Sequence, residues 1–332
     1  MNWITLVPAV VSFLATAISG KYIIKKLQKL HCGQTIYEDG PSWHKDKNGT
    51  PTMGGIMFIF GTLLAVLGVI IFYLAKYSSF AFTDLAPIIA GVLASVCYAL
   101  IGFIDDYIKV VKKRNLGLTA IQKLIFQFLI AAIFLYTLYA AGTIDSSDIL
   151  LPFIGSVNLG WIYYPIATVA IVFIVNAVNL TDGLDGLAST VTTVCMIGYI
   201  AISLLLGEIL TSAVSAALLG GCMGFLIYNK YPAKVFMGDT GSMFLGGMVV
   251  VLAFTMDFPG LIFLMGGLYI LEALSVCLQV FWYKITHKRI FLMSPIHHHY
   301  EKKGYSENEI VRMFSIVEGI FVLLAIVGVV LV

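Results

Sequence analysis

The chain consists of long apolar runs separated by short polar stretches, and the apolar runs have the length of membrane-spanning helices. A helix needs about 20 predominantly apolar residues to cross the hydrocarbon core of a bilayer. The pattern predicts an all-α, polytopic membrane protein with about ten transmembrane helices, folded as one domain over residues 1–332. The ten predicted spans are Ile4–Ser19, Gly54–Tyr73, Ala86–Phe103, Ile121–Ala141, Leu159–Val178, Leu187–Leu206, Thr211–Ile227, Met243–Met256, Gly260–Tyr283 and Met313–Val332.

The composition agrees with this pattern. Hydrophobic residues make up 60% of the 332 residues and charged residues only 11%. A soluble domain of this length could not cover that much apolar surface, because a single core stops growing at about 250–300 residues and its exterior must still be wetted. The composition therefore excludes an ordinary soluble domain.

The basic residues predict how the helices are oriented. When the nine connecting segments are numbered in order, all but one of the 20 Lys and Arg residues lie in or beside the odd-numbered segments, the exception being Lys76. Lys and Arg are enriched on the cytoplasmic side of membrane proteins. We therefore expect the odd-numbered segments to be cytoplasmic and both termini to be extracytoplasmic.

Most of the other polar chemistry also falls in the odd-numbered segments. A transporter more often places its polar groups near the middle of the bilayer, on broken helices of an inverted repeat. Polar groups gathered at one face favour an enzyme with a soluble substrate and a site at the cytoplasmic boundary.

Two adjacent carboxylates, Asp105 and Asp106, end the third predicted span. Four basic residues follow, namely Lys109, Lys112, Lys113 and Arg114. Acids beside bases at a membrane boundary suit a site for a divalent cation and phosphate groups. A solvated helix end, neutralised by its basic neighbours, is the alternative.

A segment rich in Asn and Asp, Asn176–Gly186, follows from the fifth predicted span. Its polar side chains are those of Asn176, Asn179, Asp182 and Asp185. Asp182 and Asp185 are three residues apart, so on a helical turn they would share a face. Packing does not explain so many polar side chains, and we expect them to line a binding pocket.

A glycine-rich loop, Gly238–Ser242, precedes the eighth predicted span and carries the carboxylate of Asp239. The backbone N–H groups of such a loop can bind phosphate oxygens while the carboxylate holds a cation. Phe236, two residues earlier, is a candidate surface for stacking on a planar base.

Three consecutive histidines, His297–His299, lie in the last cytoplasmic segment. Zinc ligands are usually spaced along the chain, so contact with phosphate or proton transfer is the better interpretation. Glu272 is taken as the one acid well inside a predicted span, and Gly266 and Gly267 precede it. Such acids are functional by default, and a broken helix here could shape a groove for a lipid. Capping of that broken helix by Glu272 is the alternative.

These motifs resemble those of the polyprenyl-phosphate N-acetylhexosamine-1-phosphate transferases over essentially the whole chain. The first cytoplasmic signature matches Gly49–Gly55, and the other four motifs follow in order: Asp105-Asp106, Asn176–Gly186, Phe236–Ser242 and Pro295–Glu301. The run of histidines resembles the branch that acts on a muramoyl-pentapeptide.

The resemblance implies an Mg²⁺-dependent enzyme of the bacterial cytoplasmic membrane with its site facing the cytoplasm. It would transfer phospho-N-acetylmuramoyl-pentapeptide from UDP to undecaprenyl phosphate, giving lipid I and UMP. The implied partners are these two substrates, the lipid bilayer and a second copy of the chain in a homodimer, with no nucleic acid.

With the resemblance, candidate roles can be given to individual residues. We assign catalysis to Asp105, Asp106, Asp239 and His297, with Asp239 as the metal ligand. We assign substrate binding to Lys45, Thr50, Lys113, Lys123, Asn176, Asn179, Asp182, Asp185, Asn229, Phe236, Gly238, Ser242, Glu272 and His298. Direct attack by the lipid phosphate and a two-step route through an aspartate both remain open.

Three alternatives to this function remain. A sibling transferase that uses UDP-N-acetylglucosamine would share the chemistry and differ in the sugar pocket. An intramembrane aspartyl protease could use Asp105 and Asp239, but it leaves the asparagines and histidines unexplained. A secondary transporter is the third.

Overall fold

The structure, a computed structural model, describes residues 3–30, 47, 49–76, 82–111, 117–144 and 147–332. Within these ranges, ten helices are long and apolar enough to cross a membrane, which confirms the predicted fold class. They are α1 (Trp3–Lys29), α2 (Gly55–Lys76), α3 (Phe82–Val111), α4 (Ala120–Ala140), α5 (Tyr163–Thr181), α6 (Leu187–Leu205), α7 (Ile209–Asn229), α8 (Gly238–Thr255), α10 (Gly267–Thr286) and α12 (Glu307–Val330).

Smaller elements lie between these helices. Two short helices, α9 (Ile262–Met265) and α11 (Ile296–Lys302), flank α10. A two-stranded antiparallel hairpin, β1 (Asp148–Leu151) and β2 (Gly155–Asn158), precedes α5. The hairpin and α11 were not among the predicted elements, because neither carries a long apolar run.

Several helices extend beyond the apolar runs that predicted them. The helix α1 continues to Lys29, α3 continues to Val111, and α8 begins at Gly238. Hydropathy marks only the part of a helix that lies in hydrocarbon, whereas backbone hydrogen bonding continues until a cap or turn ends it. Asp105, Asp106 and Asp239 therefore lie within helical turns.

The helix α8 forms the centre of the bundle. It packs against α2, α3 and α5, and its residues from Thr240 to Thr255 are all buried. It is the least apolar of the ten long helices. Surrounding protein rather than lipid covers its faces, so small residues that permit close packing matter more than high hydropathy.

The predicted helix break lies at Gly266, between α9 and α10. The backbone N–H of Leu268, in the first turn of α10, donates a hydrogen bond of 3.3 Å to Glu318 Oε2. Glu318 is fully buried on α12. The expectation that Glu272 is the one acid inside a span was therefore wrong. Glu318, which accepts an otherwise unpaired N–H group, serves the capping role that was the alternative for Glu272.

Candidate active site

Three carboxylates meet where the C-terminal part of α3 contacts the first turn of α8. Asp105 and Asp106 lie on α3, and Asp239 is the second residue of α8. Each offers one carboxylate oxygen, and these three oxygens all lie within 4.8 Å of one another. Asp105 and Asp106 are almost fully buried. The cluster combines three negative charges in one small volume, so it requires cations nearby.

Two lysines provide positive charge at this cluster, which we call the acid cluster (Asp105, Asp106 and Asp239). Lys123 Nζ on α4 lies 2.6 Å from Asp239 Oδ2 and 2.9 Å from Asp105 Oδ2. Lys109 Nζ, one helical turn after Asp105, lies 2.6 Å from Asp105 Oδ2 and 3.6 Å from Asp239 Oδ2. The same two carboxylate oxygens thus converge on a position suited to a cation.

Asp106 has a different task in this structure. Its carboxylate accepts hydrogen bonds from the backbone N–H groups of Asp239 (3.2 Å) and Thr240 (2.9 Å) and from the Thr240 hydroxyl (2.7 Å). A carboxylate at the first turn of a helix satisfies free N–H groups and interacts favourably with the helix dipole. Asp106 therefore fixes the start of α8, and with it the position of Asp239.

Glycine at position 102 permits this close approach of α3 to α8. A Cβ atom there would lie 2.1 Å from the Asp239 carbonyl oxygen and 2.6 Å from the Thr240 backbone nitrogen. Both contacts are to backbone, which cannot turn aside as a flexible side chain can. The separation between the acids thus depends on this residue.

We expect Gly102→Ala to destabilise the protein by about 1–3 kcal/mol, as overpacking of a core does, and to lower turnover by displacing Asp239. Thermal unfolding in detergent and initial rates measure the two effects. Gly68→Ala on α2 is the matched control, because a Cβ atom there meets nothing within 4 Å. Equal melting temperatures for the two variants would contradict this account of the α3–α8 contact.

Two asparagines of α5 lie near the acid cluster, and one of them contacts Asp239. The side-chain amide of Asn179 donates hydrogen bonds to Asp239 Oδ1 (3.1 Å) and to Ser242 Oγ (2.8 Å). Asn176, one turn deeper, exchanges side-chain hydrogen bonds with Gln127 of α4 at 2.7 and 3.3 Å. Asn179 therefore reaches the acid cluster directly, whereas Asn176 joins α5 to α4 behind it.

Asp185 belongs to a second cluster of charged residues, together with Lys47 and Glu307. Lys47 Nζ lies 2.7 Å from Asp185 Oδ1 and 2.7 Å from Glu307 Oε1 at the start of α12. Asp185 Oδ2 also accepts a hydrogen bond of 2.9 Å from the backbone N–H of Ala233. Burial lowers the pKa of Lys47, but the two carboxylates outweigh this effect and raise it overall. These contacts tie four distant parts of the chain together.

Asp182 and Asp185 do not share a helical face, contrary to the expectation. The helix α5 ends at Thr181, Asp182 is its C-terminal cap, and a turn leads to Gly186, which has a φ of +77°. Glycine adopts this left-handed conformation without strain, so the chain leaves the helix. Burial, followed by the charges of Asp239, Asp106 and Asp185, raises the pKa of Asp182 well above its ordinary value.

The predicted histidine and the intramembrane acid form one buried pair. His297 Nδ1 lies 3.2 Å from Glu272 Oε2, and both side chains are fully buried. Neither ring nitrogen of His297 and neither carboxyl oxygen of Glu272 makes a hydrogen bond with a described residue. The His297 Nε2 atom lies against the turn after α5, where a Cβ atom on Gly183 would be 2.2 Å from it. His298 pairs instead with Glu301.

The segment that precedes α2 and the segment that precedes α8 pair through backbone hydrogen bonds. The backbone N–H of Phe236 donates to the Pro51 carbonyl (2.8 Å), and that of Gly54 donates to the Phe236 carbonyl (2.8 Å).

The side chain of Asn229 forms hydrogen bonds through both of its polar atoms, donating to the Val235 carbonyl at 3.0 Å and accepting from Ser189 Oγ at 3.1 Å. The side chains of Phe236 and Thr50 are half-buried.

The structure brings most of the predicted residues to one end of the bundle, while Lys45 and Lys113 lie outside the described residues. Sequence reasoning missed Lys47, Lys109, Thr240 and Glu307 as site residues. Lys109 could have been found, because it lies four residues after Asp105 on a helix. The partners of Lys47, 138 and 260 residues away, leave no local signal.

The donor set of the acid cluster fits a hard divalent cation. Mg²⁺ prefers carboxylate oxygens and is commonly bound by one or two carboxylates together with substrate phosphates. Asp105 Oδ2 and Asp239 Oδ2 already converge on the ammonium group of Lys123. Asp106, whose oxygens accept backbone N–H groups, is less suited to be a ligand.

Comparison with known proteins identifies the family. The model of glycosyl transferase family 4 matches residues 88–257, and phospho-N-acetylmuramoyl-pentapeptide-transferase signature 1 matches residues 47–59. The first match spans α3 to α8, and the second contains Lys47 and Thr50.

Curated relatives match nearly the whole chain. A phospho-N-acetylmuramoyl-pentapeptide-transferase of Caldicellulosiruptor bescii is 45% identical, over 97% of this chain and 96% of its own. Enzymes of the same name from Caldanaerobacter subterraneus and Halalkalibacterium halodurans are 46% and 41% identical, over 92% and 97% of both chains. These matches confirm the resemblance predicted from the five motifs. The chain therefore belongs to glycosyl transferase family 4, among the phospho-N-acetylmuramoyl-pentapeptide-transferases.

Proposed function

We propose that this protein transfers phospho-N-acetylmuramoyl-pentapeptide from UDP to undecaprenyl phosphate, producing lipid I and UMP. The observation that carries the proposal is the acid cluster with its two lysines, at the helix ends of a chain at least 40% identical to enzymes named for this transfer. Three carboxylates and two ammonium groups in one volume are what a reaction between phosphates requires.

The reaction joins two anions, so charge repulsion is its main obstacle. An oxygen of the lipid phosphate attacks the phosphorus next to the sugar, and the bond from that phosphorus to the oxygen of UMP breaks. Catalysis of such a transfer is mainly positioning and neutralisation of charge. Lys109 and Lys123 would leave the carboxylates for the phosphates when substrate binds. The attacking phosphate has a second pKa of about 6, so it is largely ionised near neutral pH.

We propose Mg²⁺ as the metal, held by Asp239 with Asp105 beside it. When bound, the ion would neutralise charge on the diphosphate oxygens. Asp105 would orient the lipid phosphate and accept any remaining proton. Asp106 would keep Asp239 in place through its hydrogen bonds to the first turn of α8. His297, whose Nε2 atom has no hydrogen-bond partner among the described residues, would contact phosphate.

The nucleotide would bind beside the acid cluster. By resemblance, Phe236 stacks on uracil, Asn229 and Asp182 form hydrogen bonds nearby, and Asn179 and Asp185 line the same pocket. The other residues that we assign to binding of the substrates are Lys45, Thr50, Lys113, Lys123, Gly238, Ser242 and His298. The described contacts favour indirect roles for Asn176 and Asn229, whose amides already bind protein groups.

The basic residues support a cytoplasmic site. The site residues come mainly from the odd-numbered connecting segments and the residues beside them, where the sequence has 19 of its 20 Lys and Arg residues, and such residues mark the cytoplasmic side. We propose a multi-pass protein of the bacterial inner membrane with its termini outside. A homodimer is proposed from the resemblance alone.

Release of UMP by the purified protein tests the function. With undecaprenyl phosphate and Mg²⁺ in detergent, we expect turnover with UDP-N-acetylmuramoyl-pentapeptide, none with UDP-N-acetylglucosamine, and loss of turnover with EDTA. Turnover only with UDP-N-acetylglucosamine would move the protein to the sibling transferases. No UMP from either donor, in a folded preparation, would refute the proposal.

A further inference from the structure

A cavity of about 590 Å³ lies between the end of α1 and the segments that lead into α2 and α8. Three lysines line it, Lys21 and Lys25 of α1 and Lys234 after α7. Lys21 and Lys25 are one helical turn apart, so their side chains extend from the same face of α1. Ile24 and Tyr228 contribute apolar surface to the same cavity.

The charge in this cavity is not balanced by the described part of the chain. Lys21, Lys25 and Lys234 make no ion pair with any described residue, and no described acid lines the cavity. By contrast, Lys47, Lys109 and Lys123 each contact two carboxylates. A concave surface whose lysines have no acidic partner among the described residues attracts a ligand with separated negative charges.

The walls of the cavity are continuous with the site. Thr50 and Pro51 line the cavity, and the next residue, Thr52, lies beside the acid cluster, where a Cβ atom on Gly238 would be 2.8 Å from Thr52 Oγ1. On the opposite wall, Ala233 donates its backbone N–H to Asp185. One extended residue spans about 3.3 Å, so the cavity begins within a few residues' length of the acid cluster.

We propose that this lysine cavity (Lys21, Lys25 and Lys234) binds the carboxylates of the peptide on the sugar nucleotide. The inference rests on the proposed function and adds the place where the peptide is recognised. The peptide of a muramoyl-pentapeptide is joined to the sugar through its amino end, so it ends in a free carboxylate. Five residues extend up to about 17 Å, so the peptide carries its terminal carboxylate well away from the phosphosugar.

The walls favour a peptide over a membrane lipid. Two of them are formed by site segments, Gly49–Pro51 and Ala233–Lys234, rather than by the lipid-facing side of the bundle. Ile24 and Tyr228 are buried and provide an apolar floor for peptide side chains. A phosphate headgroup of an anionic lipid, to which lysines at a helix end are also attracted, is the competing ligand.

Binding of three donors to the intact protein tests the proposal. Isothermal titration calorimetry with Mg²⁺ and without lipid acceptor would compare UDP-N-acetylmuramoyl-pentapeptide, the same donor with its terminal carboxylate amidated, and UDP-N-acetylmuramic acid without peptide. A partly exposed ion pair contributes up to about a fivefold change in affinity. We therefore expect Lys21→Gln/Lys25→Gln to weaken binding of the complete donor about tenfold and to change binding of the peptide-free donor less than twofold.

Matched variants separate this effect from a general loss of charge. Lys26→Gln/Lys284→Gln removes two exposed cations that do not line the cavity, and we expect it to bind all three donors as the wild type does. Lys21→Arg/Lys25→Arg keeps the charge and should restore most of the affinity. If the glutamine variant folds poorly, the arginine variant replaces it in the test, because its preference for the complete donor over the peptide-free donor can be measured by itself.

Three results would overturn the proposal. If the glutamine variant lost the same affinity for the complete and the peptide-free donors, the lysines would act on the nucleotide rather than on the peptide. If the wild type bound the complete and the amidated donors equally well, the lysines would not recognise the terminal carboxylate. A change confined to the KM for undecaprenyl phosphate, or one that follows the content of anionic lipid in nanodiscs, would assign the cavity to a lipid phosphate. A wild type that binds no donor would instead refute the proposed function itself.

Discussion

Replacing Asp239 by asparagine is expected to reduce kcat for UMP release by about 1,000-fold, the scale on which a single electrostatic group acts in a preorganised site. Asp239 is the acid that contacts Lys109, Lys123 and Asn179 together. An amide keeps the shape of the side chain but removes the charge that would hold Mg²⁺ and a lysine in place. Initial rates over a series of Mg²⁺ concentrations would measure the loss, and added metal should recover little of it.

The control for this variant lies at the other end of the same helix. Asp257, two residues after α8, is exposed, and Asp257→Asn removes an equal charge far from the site. We expect its kcat to stay within twofold of the wild type. If Asp239→Asn retained a tenth of the activity or more while remaining folded, the acid cluster would not be the metal site.

The membrane fold could be predicted because the bilayer imposes a simple rule. Each span must be a continuous apolar helix of sufficient length, and ten such runs were visible in the sequence and found in the structure. The ends of the helices were less predictable. Apolar pattern stops at the membrane surface, whereas α3 and α8 continue as helices through Asp105 and Asp239.

The site could be predicted as a set of motifs but not as a geometry. Asp105 and Asp239 were both visible as polar residues at the boundary of a span. That they share Lys123, 18 and 116 residues away along the chain, depends on the packing of α3, α4 and α8. Asp106 shows the limit most clearly, because adjacent acids look equivalent in sequence. Only the crossing of α3 over the first turn of α8 makes Asp106 a helix cap and leaves Asp105 among the lysines.

Glu272 illustrates how burial changes an interpretation. Its place inside a predicted span suggested a lipid groove or a helix cap, since no partner was visible nearby in the sequence. In the structure Glu272 of α10 contacts His297, which lies 25 residues later on α11. The cap is supplied by Glu318 of α12 instead. Contacts between residues far apart in the sequence therefore decide that Glu272 contacts His297 and that Glu318 caps α10, and the local sequence pattern does not show this.

The second large effect is expected at this buried pair. His297 and Glu272 are fully buried against each other, and removing one member of a buried polar pair costs about 1–3 kcal/mol, because the other member is left without its partner. We therefore expect His297→Gln to lower the free energy of unfolding by about that amount and to reduce kcat about 100-fold at temperatures where it remains folded. Chemical denaturation in detergent and initial rates would measure the two losses.

Glu272→Gln should cause a smaller loss of activity, since His297 stays in place and an amide of the same shape remains in contact with it. If the pair acts as a unit, the double variant His297→Gln/Glu272→Gln will be no less stable than His297→Gln alone, because the unpaired carboxylate has been removed with its partner. His299→Gln, on the same short helix but half-exposed, is the control and should cost less than about 1 kcal/mol. Additive losses of stability in the double variant would show that the two side chains act independently. In that case the orientation of His297 must come from its packing against Gly183, and Glu272 would be free for another role in the site.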